Sequence, residues 1–187
     1  PNNDWFLEFD FNAAELRVLL GLLGKEQPQS DIHEWNVKNV YRGSVTRREA
    51  KKRIFAWLYN SNSKDYLSNK AYDRDTVVEK YFNGNQVTTF FDRVIESDEY
   101  HALNYLVQST AADLFFRQMI KVWKMLEGKK SKLAFCMHDS LIIDYCEKDN
   151  DILVKLKKAF SNTDLGNFVV NTSVGKDYGN MNGLKLK

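Results

Sequence analysis

A chain of 187 residues with a formal net charge of +2 and 43% hydrophobic residues is long enough to bury one real core and a small second lobe, and it reads as a soluble, cytoplasmic globular protein. No apolar run approaches the roughly 18 residues of a membrane span and no secretory pattern opens the chain, so membrane and exported classes are not expected. Cys136 and Cys146 are the two cysteines; they lie in an apolar stretch without partners at zinc spacing and read as reduced core thiols.

The chain starts without Met and runs at once into WFLEF, residues 5 to 9, which reads as a buried strand in a piece cut from a longer protein. Asp10 follows at the strand's end. Asn12, with Glu15 three residues later, has capping-box spacing, so a helix is expected from Asn12 to about Leu23. Residues 24 to 43 contain Pro28 and read as loop with a short helix near 31 to 40. Thr46 and Glu49 form a second capping box, opening a helix over RREAKKRIFAWLY. The polar, Asn-rich stretch from 61 to 85 carries one expected helix, near 73 to 82, and residues 86 to 95 have strand character. A long helix over about 97 to 126 ends at Gly128 in the C-cap role. The apolar runs LAFCM (133 to 137) and LIIDY (141 to 145) flank His138, Asp139 and Ser140, the pattern of a β-hairpin with a polar tip. A helix over 150 to 160 and a strand over 168 to 174 complete an α+β order without regular βαβ units.

Two features could carry chemistry. Asp10 and Asp139 both stand where apolar strands run out, which is how carboxylates are placed to hold Mg²⁺ while substrate oxygens complete its shell. The plain alternative is that Asp10 is a helix-entry residue and Asp139 a turn former. Arg47, Lys51, Phe55 and Tyr59 recur every four residues, so they drift only about 40° per step and share one stripe of their helix. Ala50, Ile54, Trp57 and Leu58 fill the neighbouring arc and are expected to pack inward. Two cations one turn apart suit a polyphosphate and a ring beyond them suits a sugar or base; the alternative is a basic amphipathic helix with half-buried rings. Lys129, Lys130 and Lys132, and Lys155, Lys157 and Lys158, form further basic patches with the look of solvated faces.

Taken together and in order, DFNAAELR (10 to 17), RREAKKRIFAWLY (47 to 59) and MHDS (137 to 140) resemble motifs A, B and C of family A DNA polymerases. DIH (31 to 33), NYLVQSTAADL (104 to 114) and NFVVNTSVGKDYGNM (167 to 181) resemble further segments of that family, so the likeness spans nearly the whole chain. It implies a polymerase palm with an antiparallel sheet backed by helices, over residues 1–24 and 84–187, and a trimmed helical fingers subdomain over 25–83. It implies Asp10, Asp139 and the backbone carbonyl of Phe11 as ligands of two Mg²⁺ ions, and Arg47, Lys51 and His33 as partners of the incoming triphosphate. Phe55 would pack on the sugar, Tyr59 would lie near the template base, and Glu15 would exclude a 2′-hydroxyl. Asn104 and Gln108 would meet the duplex minor groove and His138 the primer terminus. The implied partners are primer-template DNA and deoxynucleoside triphosphates, with a thumb and an exonuclease domain expected upstream in the parent protein.

The sequence also departs from the family pattern. Ser140 stands where most members have Glu, and Ala56, Asn60 and Ser109 replace common glycines, which suggests a divergent, viral lineage. A His-Asp-Ser motif C also resembles single-subunit phage-type RNA polymerases, but Glu15 and Phe55 favour deoxynucleotides. A third reading is a non-catalytic nucleic-acid-binding remnant; retention of both aspartates and the full stripe of the basic helix argues against it. Without a thumb, the 187-residue piece itself is expected to grip primer-template feebly.

Overall fold

The computed structural model describes residues 1–186; Lys187, the end of the expected second palm segment, lies outside them. The chain divides into two compact units, one made of residues 1–14 and 114–187 and the other of residues 15–113. The mixed α and β architecture agrees with the α+β class expected from the sequence.

The first unit is built on a five-stranded antiparallel sheet. β1 (Trp5–Phe11) lies at its centre, with β5 (Ser140–Tyr145) and then β4 (Lys132–Met137) on one side. The two-residue strands β6 (Asn162–Thr163) and β7 (Gly166–Asn167) pair with each other, and on the other side of β1 come β8 (Val170–Gly175) and the short β9 (Asn182–Gly183). Alternation along β1 is strict: Leu7, Phe9 and Phe11 are buried, whereas Phe6, Glu8 and Asp10 are only partly covered. Successive strand side chains point to opposite faces, so one face is core and the other is half open. Helix α7 (Leu153–Ser161) covers the core face through Phe160, which is fully buried, stacks on Phe11 at 4.4 Å and lies 5.9 Å from Phe9. Phe115, on the part of the long helix α6 (Glu99–Met125) that belongs to this unit, meets Phe160 edge-on at 6.0 Å.

The second unit is mainly helical. It contains most of α1 (Ala14–Leu22), then α2 (Ile32–Asn39), α3 (Arg47–Tyr59), α4 (Tyr66–Tyr72), α5 (Arg74–Tyr81), the hairpin of β2 (Gln86–Thr88) and β3 (Val94–Glu96), and α6 as far as Asp113. Buried polar clips join its pieces. Arg17 is fully buried and donates to the carbonyls of Pro28 and Ser30 at 2.8 and 2.9 Å. Arg74 donates to four carbonyls, those of Trp57, Asn60, Ser61 and Ser63, at 2.7 to 2.9 Å. That clip satisfies the end of α3, which lacks a glycine cap because Asn60 is extended there. Tyr72 donates to Asn36 at 2.8 Å, and Tyr41 and Ser68 share a bond of 2.9 Å, all four being buried.

Several local expectations need correction. Asp10 is a ladder residue within β1, because pairing with β5 and β8 carries the strand to Phe11. The helix expected from Asn12 begins at Ala14, since Ala13 takes left-handed backbone (φ 55°) and breaks the run. The stretch from 61 to 85 holds two helices rather than one. Asp73, at φ 41°, closes α4 through its N–H and opens α5 through its carboxylate, which accepts from Thr76, so one residue does both capping jobs. Residues 86 to 95 form a hairpin, not one strand: Asp92 at φ 61° turns the chain and the Thr89 hydroxyl accepts from Arg93 N–H at 3.2 Å. The helix expected at 150 starts as a 3₁₀ turn over Glu147–Ile152, and α7 follows it. Cys146 is buried as expected, but Cys136 is exposed on β4, the sheet's edge strand. Among the described residues, no helix is long and apolar enough to cross a membrane.

Candidate active-site residues in the two units

In the sheet unit, strand pairing does what sequence spacing cannot. Asp10 is the direct register partner of Ser140 on β5 and of Asn171 on β8. Asp139, in the hairpin turn, immediately precedes Ser140, the partner of Asp10, although the two aspartates are 129 residues apart in the chain. The Asp10 carboxylate accepts from Ser140 Oγ and Asn171 Nδ2, each at 3.0 Å. Both donors are neutral. The hairpin turns in two residues because His138 adopts left-handed backbone (φ 54°), a conformation His tolerates better than most. It leaves His138 exposed and Asp139 half-buried. Phe11, whose carbonyl is expected to join the aspartates, is the last residue of β1 and has a buried side chain.

The donor set suits a hard cation. Two carboxylates and a peptide carbonyl are hard oxygen donors, of the kind Mg²⁺ takes while keeping waters or substrate oxygens; among the described residues no three His, Cys, Asp or Glu side chains are grouped to hold a metal.

In the helical unit, α3 opens with the expected capping box: Thr46 Oγ1 accepts from Glu49 N–H, and Glu49 accepts from Thr46 N–H at 2.8 Å. Its buried residues are Ala50, Ile54, Trp57 and Leu58, the arc that its periodicity assigns to packing. The stripe of Arg47, Lys51, Phe55 and Tyr59 is left on the accessible side, where Phe55 and Tyr59 stack at 6.0 Å with ring planes 11° apart. Two of the neighbouring cations have structural partners. Arg47 grips the Asp31 carboxylate with Nε at 3.1 Å and Nη2 at 2.7 Å, an exposed pair. Arg53, off that stripe, binds Asp65 at 2.5 and 2.9 Å and lies over the Tyr41 ring. Lys51 is exposed and has no acidic partner within ion-pair distance among the described residues.

His33, the second residue of α2, sits with its ring 5.8 Å from Phe55. Burial, reinforced by the nearby Arg47 and Lys51, pushes its pKa down to about 4, so the imidazole is neutral at pH 7. Its Nδ1 has no hydrogen-bond partner among the described residues, although it is buried. An orphan polar atom beside two cations is a place where a ligand atom would be satisfied. Glu15 accepts the Tyr59 hydroxyl at 3.0 Å, and burial, followed by Glu15, raises the Tyr59 pKa to about 12. Gln108 also hydrogen-bonds Tyr59. Asn104, one turn before the exposed Gln108 on α6, has an unpartnered Oδ1. The structure thus joins Glu15, Tyr59 and Gln108 into one chain of contacts, and His33 and Phe55 into another.

Residues 76–181, more than half of the chain, match the model of "DNA polymerase family A". The chain belongs to that family. Among curated relatives it is 26% identical to the thermostable DNA polymerase I of Thermus aquaticus, an alignment covering 82% of this chain and 24% of the relative. It is 25% identical to DNA polymerase I of Chloroflexus aurantiacus, over 93% of this chain and 24% of that protein. The chain therefore spans about a quarter of the length of these relatives. Its fold matches the POL domain of Pol1 from M. smegmatis, solved in complex with DNA primer-template and dNTP, with a TM-score of 0.74 at 18% identity over 93% of this chain and 40% of that one.

Two residues of consequence escape sequence reasoning. Asp31 pairs with Arg47 and Arg74 clips the end of α3. The first follows from the N-cap geometry of α2, where the Asp31 carboxylate also accepts from His33 and Glu34 N–H; the second has no local signal.

Proposed function

We propose that this chain is the palm, over residues 1–24 and 84–187, and the trimmed fingers, over 25–83, of a template-directed DNA polymerase. The reading is supported by the register of β1 against β5, which pairs Asp10 with Ser140, the residue next to Asp139, in a chain belonging to this family. Two Mg²⁺ ions, when bound, would supply activation of a primer 3′-hydroxyl and stabilisation of the departing pyrophosphate. Asp10 and Asp139, with the Phe11 carbonyl, would hold them. Ser140 and Asn171 fix the Asp10 carboxylate so that little reorganisation is needed on binding.

Lys51 and Arg47 would neutralise charge on an incoming triphosphate, Arg47 exchanging the Asp31 carboxylate for phosphate oxygens. His33, being neutral, would act on the phosphates as a hydrogen-bonding group and not as a charge. Phe55 would pack on the sugar, and Glu15, held by Tyr59, would deny room to a 2′-hydroxyl. Asn104 and Gln108 would sense pair geometry in the minor groove, where donors and acceptors are too degenerate to read sequence. His138, exposed on the hairpin tip, is assigned to the primer terminus.

The test is Mg²⁺-dependent primer extension with deoxynucleotides, supplemented by calorimetric titration of dNTP with Mg²⁺, which reads nucleotide binding without turnover. Asp10→Ala and Asp139→Ala should each abolish extension and metal-dependent nucleotide binding. Full activity in either variant would overturn the metal assignment, and nucleotide binding indifferent to metal in the wild type would favour a non-catalytic binding protein.

A further inference from the structure

The half-open face of the sheet carries a third carboxylate. Glu8 and Asp10 are two residues apart on β1, so they share this face and stand about 7 Å apart along the strand. Ladder neighbours hold each of them. Glu8 accepts from the hydroxyl of Ser173, its register partner on β8, at 2.5 Å, and lies beside Tyr178, whose hydroxyl donates to Met137 Sδ at 3.5 Å. Tyr178 reaches across from the turn that follows β8 and sets its ring edge-on to Phe135 on β4 at 5.4 Å. The turn can fold back this closely only because residue 175 is glycine: a Cβ there would lie 2.7 Å from the Asn180 carbonyl oxygen and 2.9 Å from that of Asp177.

The Ser173 hydroxyl needs an acceptor at position 8, which a glutamine oxygen also supplies without the charge. On the same face, the residue directly opposite Asp10 on β5 is the neutral Ser140. The acids that β1 places on this face are Glu8 and Asp10.

Resting on the assignment of Asp10 and Asp139 to a divalent cation, we propose that Glu8 is a positioning residue of that site. It acts through its charge from two residues away on the same face of β1, outside the ligand set, and strengthens cation binding. At separations on the order of 7 Å, a unit charge partly screened by water and salt changes the affinity for a divalent ion by roughly threefold to tenfold.

Mn²⁺ titration of the chain, followed by electron paramagnetic resonance of the free ion, reads this without turnover. Glu8→Gln keeps the shape and an acceptor for Ser173 and should weaken Mn²⁺ binding by about threefold to tenfold, while Glu8→Asp, which keeps the charge, should stay within about twofold of wild type. Circular dichroism and thermal melting would show that both variants fold. An affinity for Glu8→Gln equal to wild type, with Asp10→Asn still abolishing binding, would overturn the role of Glu8 and leave the metal site standing. Failure of the wild type to bind Mn²⁺, or unaltered binding in Asp10→Asn, would remove the metal assignment and this inference with it.

Discussion

The two units solve the same problem, holding functional side chains still, by different means. The sheet unit relies on a long-range ladder closed over an aromatic core, in which Phe160 touches Phe9, Phe11 and Phe115. The helical unit relies on buried arginines and tyrosines that tie loops and helix ends together by hydrogen bonds to carbonyls. The lesson is about where fragility lies. An apolar core loses stability in proportion to the volume removed, whereas a polar clip, once one partner is lost, leaves buried acceptors without donors.

The sharpest break of this comparison comes from Phe160→Ala, which empties the middle of the sheet unit's core. A loss of about 3–5 kcal/mol is expected by chemical denaturation, and a loss below about 1 kcal/mol would mean the ring is not central to the core. Arg74→Met keeps the packing over Trp57 but strips four carbonyls of their donor. It should cost about 2–3 kcal/mol and shift the near-ultraviolet signal of Trp57, and a neutral outcome would show that water replaces the clip.

In the helical unit a pH effect centres on His33. The His33 pKa lies at about 4 in the fold against 6.5 for an ordinary histidine. Above pH 6.5 the imidazole is neutral in both folded and unfolded chains and its contribution is complete. As pH falls from 6.5 towards 4 the unfolded chain takes up the proton first, so stability declines, by up to about 3 kcal/mol once both forms are protonated. Urea titrations across that range should show the decline in wild type and a smaller one in His33→Gln; equal slopes would place the proton uptake elsewhere.

The smallest effect is expected at the exposed pair of Arg47 with Asp31. Asp31→Asn keeps an acceptor for the α2 cap and removes only the charge, so stability should change by less than about 1 kcal/mol. Triphosphate affinity should rise about twofold to fivefold at low salt, because Arg47 loses its closest competing carboxylate and keeps only Glu34, at 3.8 Å. A weaker affinity would mean Asp31 presents Arg47 and does not compete for it.

What could be read in the sequence follows the same division. The working and packing faces of α3 came from its four-residue periodicity alone, because a helix fixes the angle between its own residues, and the buried set agrees residue for residue. The Thr46 capping box was equally local. The α4/α5 break at Asp73 and the hairpin turn at Asp92 were not legible, since both depend on single residues in left-handed backbone that a polar stretch does not announce. The partners of Arg47 and Arg53 were hidden for a related reason: a run of basic residues shows charge, but which acid each one meets depends on where Asp31 and Asp65 are brought.

The sequence by itself determined the α+β class, the long helix, the polar-tipped hairpin and the order of motifs that marks the family, all of them properties of neighbours in the chain or of the motifs themselves. Only the tertiary structure decided that Asp10 faces Ser140 and Asn171, that Glu8 shares its face with Asp10, and that His33 is buried and neutral. Those facts depend on strand register and on burial, and both are set by contacts between residues far apart in the chain.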